Sequence, residues 1–328
     1  MRIPSAIKLP SGRWRVSVQI KGVRHSITKD TKKDAERAAA LLKMSPEQRA
    51  VKMTYREAID AYIKKYKKLS PATVKGYRDI QNSRVQSIMD LPISACTDLQ
   101  TVFDREADKV SVKTLKNAYG LLSVACKNAG VEIEKIKFPQ GEKKERPFLN
   151  REQIKIFCKA IEGEEFEIAY LLCLHSLRRS EMLAMKKSQV TDGYIHVHGA
   201  IVEGEKGFVY KSTNKTEASV RDIPIFIPRL TQLVEAAPDG ILCPWSASMM
   251  DKRLRAILEE LKLPISGFHM LRHSFASMAW AAGVDPLVCM RWGGWSEYRT
   301  MIDIYTHMEQ AKQKEDASKL MNLFTDPE

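Results

Sequence analysis

Residues 13–21 alternate strictly, with Trp14, Val16, Val18 and Ile20 on one face and Arg13, Arg15, Ser17, Gln19 and Lys21 on the other. This pattern predicts a half-buried strand. Lys21-Gly22 supplies a turn into 23–28, and Ser11-Gly12 separates the strand from an extended 6–9, so a three-stranded antiparallel sheet is expected. Thr31, three residues before Asp34, reads as a variant capping box opening a helix through Ala38, Ala39 and Leu42.

From Thr54 to about Gly130 the apolar residues recur at helical spacing, in 55–66, in 73–88 after Ser70-Pro71, and in 113–129. Residues 138–146, Phe-Pro-Gln-Gly-Glu-Lys-Lys-Glu-Arg, have the polar, Pro- and Gly-containing composition of a linker. Beyond it Asn150 caps a helix over 151–161, and helices continue except for strand stretches around 194–202, 207–210 and 220–225. The expected fold class is mainly α with small β elements (α+β), in three domains. These are 1–50 (sheet plus helix), 54–137 (helical bundle) and, after the linker 138–147, 148–328 (mixed helical with a small antiparallel sheet and a helical tail).

Composition narrows the classes of function. The 328 residues are 44% hydrophobic and 28% charged, without an apolar run of about 18 residues, which argues against a membrane protein. The opening residues lack the apolar core of a signal peptide, so a cytoplasmic location is expected. Six dispersed cysteines with no Cys-x-x-Cys pair argue against a disulfide scaffold and a cysteine-type zinc site, and suit buried thiols in a reducing compartment. The net charge of +13 points to a polyanionic partner, most often nucleic acid. That charge is uneven: residues 1–150 hold 31 Lys and Arg against 16 Asp and Glu, whereas 151–328 hold 22 against 24. A basic front half suits sequence-independent grip on phosphates. Arg13, Arg15, Lys21 and Arg24 on the sheet, and Lys64, Lys65, Lys67 and Lys68 at a helix end, are the candidate DNA contacts, the alternative being solvated charge.

Five segments of the back half carry candidate chemistry. Leu177-Arg178-Arg179-Ser180-Glu181 follows an apolar stretch and should begin a helix, where an arginine reaches an anion. Lys215-Thr216 sits on a turn before Ser219-Val220-Arg221-Asp222-Ile223-Pro224. His269 and Arg272, in Phe268-His269-Met270-Leu271-Arg272-His273, share a helix face, and such a pair is not expected in a core. Gly293-Gly294-Trp295-Ser296 makes a tight turn presenting an indole, and Ile304-Tyr305-Thr306-His307 follows in a short helical segment. Two guanidiniums, an ammonium and an imidazole around a tyrosine suit phosphoryl transfer without a metal or other cofactor. Planar arginine forks match the oxygens of a pentavalent phosphate, an ammonium protonates a leaving oxygen, an imidazole accepts a proton, and a tyrosyl ester conserves bond energy.

The order Arg, Lys, His-x-x-Arg, Gly-Trp, Tyr, with Leu-Arg-x-Ser-Glu and His-x-Leu-Arg-His, resembles the tyrosine recombinase (phage integrase) family over the full chain. Residues 8–44 resemble its AP2-like arm-binding domain and 54–130 its helical core-binding domain. The resemblance implies that Arg178 and Arg272 clamp the phosphate, Lys215 is the general acid, His269 the general base and Tyr305 the nucleophile, with Trp295 at a position usually held by a second histidine. It implies supporting roles for Glu181 and His273. It further implies a 3′-phosphotyrosine, a Holliday junction and a four-protomer synapse on core and arm-type DNA sites. The arm domain favours integration and excision of a prophage or conjugative element, with a directionality factor and a DNA-bending host protein as possible partners.

Departures from the family pattern are His175-Ser176 in place of Thr-Gly, a ten-residue step from Trp295 to Tyr305 where nine is commoner, and Lys211 as a competitor of Lys215. Tyr298 is a rival nucleophile. His196 and His198 share a strand face at a metal-compatible spacing, but without nearby cysteine or an acid pair they read as solvated. The segment 308–324 packs either on its own domain or on a neighbouring protomer. Competing classes are a DNA-binding regulator with a dead site, a metal-dependent nuclease and a type IB topoisomerase.

Overall fold

The computed structural model describes residues 4–20, 23–43, 52–96, 98–141, 147–212 and 220–296. The chain divides into two compact units, Met1–Lys143 with Gly204–Lys206, and Lys144–Glu203 with Gly207–Glu328.

In the first unit β1 (Ile7–Lys8), β2 (Trp14–Ile20) and β3 (Val23–Lys29) form an antiparallel sheet in that order. Val16 and Val18 of β2 and Ala35 and Ala39 of α1 (Lys32–Lys43) are buried together, with Trp14, Ile27 and Leu42 packed around them. The period of two in β2 therefore holds, because one face has a helix to lie on. The pairing Arg15↔Thr28, Ser17↔Ser26 and Gln19↔Arg24 makes the other face polar. Thr31 accepts the Asp34 amide and donates to its carboxylate, as the capping pattern predicts. The Lys21-Gly22 turn lies outside the described residues.

A second hydrophobic cluster of this unit gathers α2 (Tyr55–Lys65), α4 (Gln86–Met89), α5 (Leu99–Ala107) and α6 (Val112–Asn128) around Tyr55, Ile59, Met89, Phe103 and Leu122. Thr54 opens α2 in a full capping box with Glu57, and Ser70, before Pro71, caps α3 (Pro71–Ser83). The helix expected over 73–88 is broken after Ser83, because Val85 takes a left-handed φ of 44° before α4 begins. Irregular chain begins after the turn at Gly130, earlier than the linker read at 138.

In the second unit Asn150 and Gln153 cap α7 (Arg151–Ala160) reciprocally. Every residue of α8 (Glu167–Leu174) is buried, and α12 (Phe268–Ala281) packs against it. Short α9 (Arg179–Met182) follows, and the sheet runs β4 (Val190–Thr191), β5 (Tyr194–Val197), β8 (Arg221–Pro224). The stretch read as one strand over 194–202 is two: Gly199, at φ 83°, separates β5 from β6 (Ala200–Gly204), which pairs with β7 (Gly207–Lys211). A Cβ on Gly199 would meet the Tyr210 hydroxyl at 2.6 Å, so the break needs glycine. Helices α10 (Arg229–Ala236), α11 (Ala247–Glu260) and α13 (Pro286–Gly293) also belong to the described residues of this unit. Cys126, Cys173, Cys243 and Cys289 are buried thiols, whereas Cys96 and Cys158 are only half-buried. Among the described residues no helix is long and apolar enough to cross a membrane.

Candidate active site

The site begins where α8 ends. His175 donates its backbone N–H to Leu171 O at 3.0 Å, Ser176 donates to Cys173 O at 3.1 Å, and the chain reverses with Ser176 at φ 71°. That left-handed conformation suits glycine, and serine holds it here with its hydroxyl donating to Trp292 O at 2.7 Å. The reversal exposes the Ser176 carbonyl to two guanidiniums: Arg272 Nη1 donates to it, and so does Arg221 Nη2 at 3.4 Å. The departure from Thr-Gly at 175–176 therefore keeps the tight turn. His175 is fully buried, its Nδ1 donating to Leu171 O at 2.7 Å and its Nε2 accepting the amides of Phe226 and Ile227 at 3.3 Å. Burial pulls this imidazole down to about 4, so it is neutral, and the two amides fix its tautomer.

Three successive carbonyls at the C-terminus of α13 each accept from a different arginine. Trp292 O takes Arg221 Nε at 2.7 Å, Gly293 O takes Arg272 Nη2, and Gly294 O takes Arg178 Nη2 at 2.6 Å. Helix C-terminal carbonyls attract cations, and these three converge because Gly294 turns left-handed at φ 58°. A Cβ on Gly293 would fall 2.2 Å from the Trp295 ring, so this close approach also requires glycine. The Trp295 ring lies under Arg272, 4.8 Å from its Cζ, and stacks on Phe275 at 6.2 Å.

One buried carboxylate balances the cluster. Glu181, 3% exposed, accepts Arg178 Nη1 at 2.6 Å, Arg221 Nη2 at 2.9 Å, Arg221 Nη1 at 3.2 Å and the Arg178 backbone N–H at 2.9 Å. Burial alone would raise its carboxyl, but the Arg221 hydrogen bond and the charges of Arg221 and Arg178 outweigh burial and hold it below the ordinary value. Burial, then the charges of Arg178 and Arg221, bring Arg272 down to about 9, which leaves it charged at neutral pH. The arrangement is thus a net cationic cluster with fixed donors, suited to an anion with several oxygens.

The structure brings Arg178, Glu181, Arg272 and Trp295 together, with His269 exposed on the first turn of α12 and edge-on to buried His273 at 4.7 Å. Arg178 keeps 34% side-chain exposure, while Arg272 keeps 2%. The expectation that a His–Arg pair avoids the core fails for Arg272, whose charge is compensated by carbonyls and Trp295 instead of water. Lys215, Tyr305, the rival Tyr298 and the segment 308–324 lie outside the described residues, and Lys211 ends β7. His196 pairs through Nδ1 with Asp222 Oδ1 at 2.7 Å. Arg221 joins these residues although it is not among the candidates of the sequence motifs. Its signal is the strand alternation of β8, in which Arg221 and Ile223 are buried and Asp222 exposed, so that an inward arginine demands a carboxylate partner.

Among the candidate DNA contacts, Arg13 pairs with Asp30 at 2.8 Å, and Arg15 and Arg24 are exposed on the polar sheet face. Lys64, Lys65, Lys67 and Lys68 are exposed at the end of α2, Lys65 donating to Asn128 at 2.6 Å, while Lys21 lies outside the described residues.

The phage integrase family model matches residues 147–312, half of the chain and all of the described site. The chain belongs to the phage integrase family, and it is a tyrosine-type site-specific recombinase. Among solved structures it is similar to the Tn1549 transposon integrase in complex with transposon right end DNA, with a TM-score of 0.67 and 18% identity over 81% of this chain and 99% of that one. It is also similar to a lambda integrase dimer bound to a COC′ core site, with a TM-score of 0.54 and 16% identity over 92% of this chain and 94% of that one. At these identities the likeness establishes the α+β fold. No curated protein sequence matches the chain.

Proposed function

We propose that the chain integrates and excises a prophage or conjugative element by cutting and rejoining double-stranded DNA at core and arm-type attachment sites. The observation that carries this reading is the pair Arg178 and Arg272, held on adjacent carbonyls of one turn with Glu181 between charges, and His269 exposed on the helix that carries Arg272. Their fixed forks suit the equatorial oxygens of a scissile phosphate, and donors of this kind contribute on the order of 3–4 kcal/mol each to a transition state. In the proposed step the Tyr305 oxygen attacks phosphorus while His269 accepts its proton. The bond from phosphorus to the 5′ oxygen breaks, Lys215 protonates that oxygen, and a 3′-phosphotyrosine and a free 5′-hydroxyl remain. Attack by a partner strand's 5′-hydroxyl reverses the chemistry and releases the tyrosine, so neither ATP nor metal enters the balance. Trp295 lies against Arg272 and supports its orientation, and His273 supports His269.

We assign arm-site binding to residues 1–50 through Arg13, Arg15, Lys21 and Arg24, core-site binding to 54–137 through Lys64, Lys65, Lys67 and Lys68, and catalysis to 148–328. The lambda integrase structure of 16% identity and TM-score 0.54 is a tetramer bound to a Holliday junction, and one Tn1549 structure holds circular intermediate DNA. Both support DNA as the partner and the first supports a homotetramer on it; exchange of C-terminal tails and action in the cytoplasm of a prokaryotic host complete the proposal. The test is recombination between two plasmids carrying the end junctions of the DNA element in which the gene lies, run in EDTA. Recombinant plasmid supports the reading, whereas nicked or linear products that appear only with Mg²⁺ identify a metal-dependent nuclease.

A further inference from the structure

Arg221 is the largest charged group of the site without a role in the reaction just described. Its side chain is 2% exposed, and its donors end on protein: Nε on Trp292 O, Nη1 and Nη2 on the two oxygens of Glu181, and Nη2 also on Ser176 O. It therefore bridges the three structures that place the phosphate clamp, namely the α13 terminus, the Ser176 turn and the Glu181 carboxylate. Arg178 reaches Glu181 through Nη1 and the α13 terminus through Nη2, so both of its anchors are also anchors of Arg221. Arg272 reaches Ser176 and the α13 terminus, so its two anchors are shared in the same way.

We propose that Arg221 is a positioning residue for strand cleavage, setting the aim of Arg178 and Arg272 through Glu181, Ser176 and the Trp292 carbonyl without touching DNA. This inference rests on the function proposed above. Its physical content is electrostatic as well as geometric. Glu181 faces Arg178 at the start of α9, Arg221 of β8, Arg272 of α12 and Cys173 of α8. Of these, Arg221 meets both carboxylate oxygens side-on, through Nη1 at 3.2 Å and Nη2 at 2.9 Å. Without Arg221, burial regains its hold on the carboxyl, which then takes up a proton at higher pH and releases the Arg178 fork. Misplacement of such a donor by about 1 Å lowers a rate by roughly a hundredfold.

The experiment measures single-turnover covalent adduct formation by the full chain on a nicked duplex carrying an end junction of the DNA element in which the gene lies, from pH 5 to 9. DNA affinity is read by gel shift. Arg221→Met is expected to lose roughly a hundredfold in cleavage rate with affinity within about twofold, and its acid limb is expected to move to higher pH than in the wild type. Arg221→Lys, which keeps the charge and loses the fork, is expected to leave the acid limb in place while cleaving more slowly. Glu181→Gln combined with Arg221→Met is expected to abolish the shifted limb and to cost little beyond either change alone. Should Arg221→Met fail to fold, Arg221→Lys and its combination with Glu181→Gln carry the comparison of cleavage rate and additivity. A wild-type cleavage rate in Arg221→Lys or Arg221→Met overturns the proposal, and so does full additivity with Glu181→Gln. Loss of DNA affinity in step with cleavage would instead make Arg221 a DNA contact. Absence of any wild-type adduct is a separate result, which defeats the functional reading itself.

Discussion

His175 couples the stability of the catalytic unit to pH. It is neutral and fully buried, with an imidazole pulled by burial from 6.5 to about 4, and both ring nitrogens are committed to backbone groups. Because the unfolded chain binds this proton and the folded one does not, the stabilisation is fully present above pH 6.5 and is lost as pH falls toward 4. The linkage relation gives a loss of about 2 kcal/mol between pH 7 and pH 5 from this residue alone. Four of the five tryptophans, Trp245, Trp280, Trp292 and Trp295, lie in the second unit, so urea unfolding followed by tryptophan fluorescence reports mainly on that unit. His175→Gln offers an amide that can serve the same carbonyl and amides but does not titrate. Carboxylates held low by arginine, such as Glu181 and Glu164, also lose stability on acidification, but equally in both proteins. The wild type should therefore lose about 2 kcal/mol more than His175→Gln over this interval. Equal losses in the two proteins would refute a neutral, proton-excluding His175.

Gly293→Ala places a methyl group against the Trp295 ring at 2.2 Å, so a stability loss of about 1–3 kcal/mol and a collapse of cleavage are expected, read by urea midpoint and adduct yield. Arg272→Lys keeps a charge but loses the fork shared between Ser176 O and Gly293 O. Cleavage should fall by roughly two to three orders of magnitude in single-turnover assays while DNA affinity by gel shift stays near wild type. Arg15→Ala with Arg24→Ala, on the polar sheet face, should lower the log–log salt slope of DNA binding by about 2 in anisotropy titrations, and an unchanged slope removes these residues from the interface.

Local patterns made much of the fold readable. Thr54, Ser70 and Asn150 announce helices within three residues, and β2 reveals its buried face by alternation. Features set by distant partners were harder to read. The break at Val85 carries no glycine or proline, and the core position of Arg272 depends on carbonyls 96 and 21 residues away in sequence. Arg221, buried against Glu181 across a separation of 40 residues, looked like one more polar residue of a hairpin. The residue types of the clamp were legible because their chemistry is specific, whereas the turn carbonyls that aim them carry no side-chain signature.

The covalent intermediate is open to direct detection by mass spectrometry of protease digests after reaction in EDTA with the nicked attachment duplex. A nucleotide is expected on the peptide bearing Tyr305, absent from Tyr305→Phe. A nucleotide on the Tyr298 side of a cleavage between the two tyrosines, or an adduct that persists in Tyr305→Phe, would contradict Tyr305 as the nucleophile.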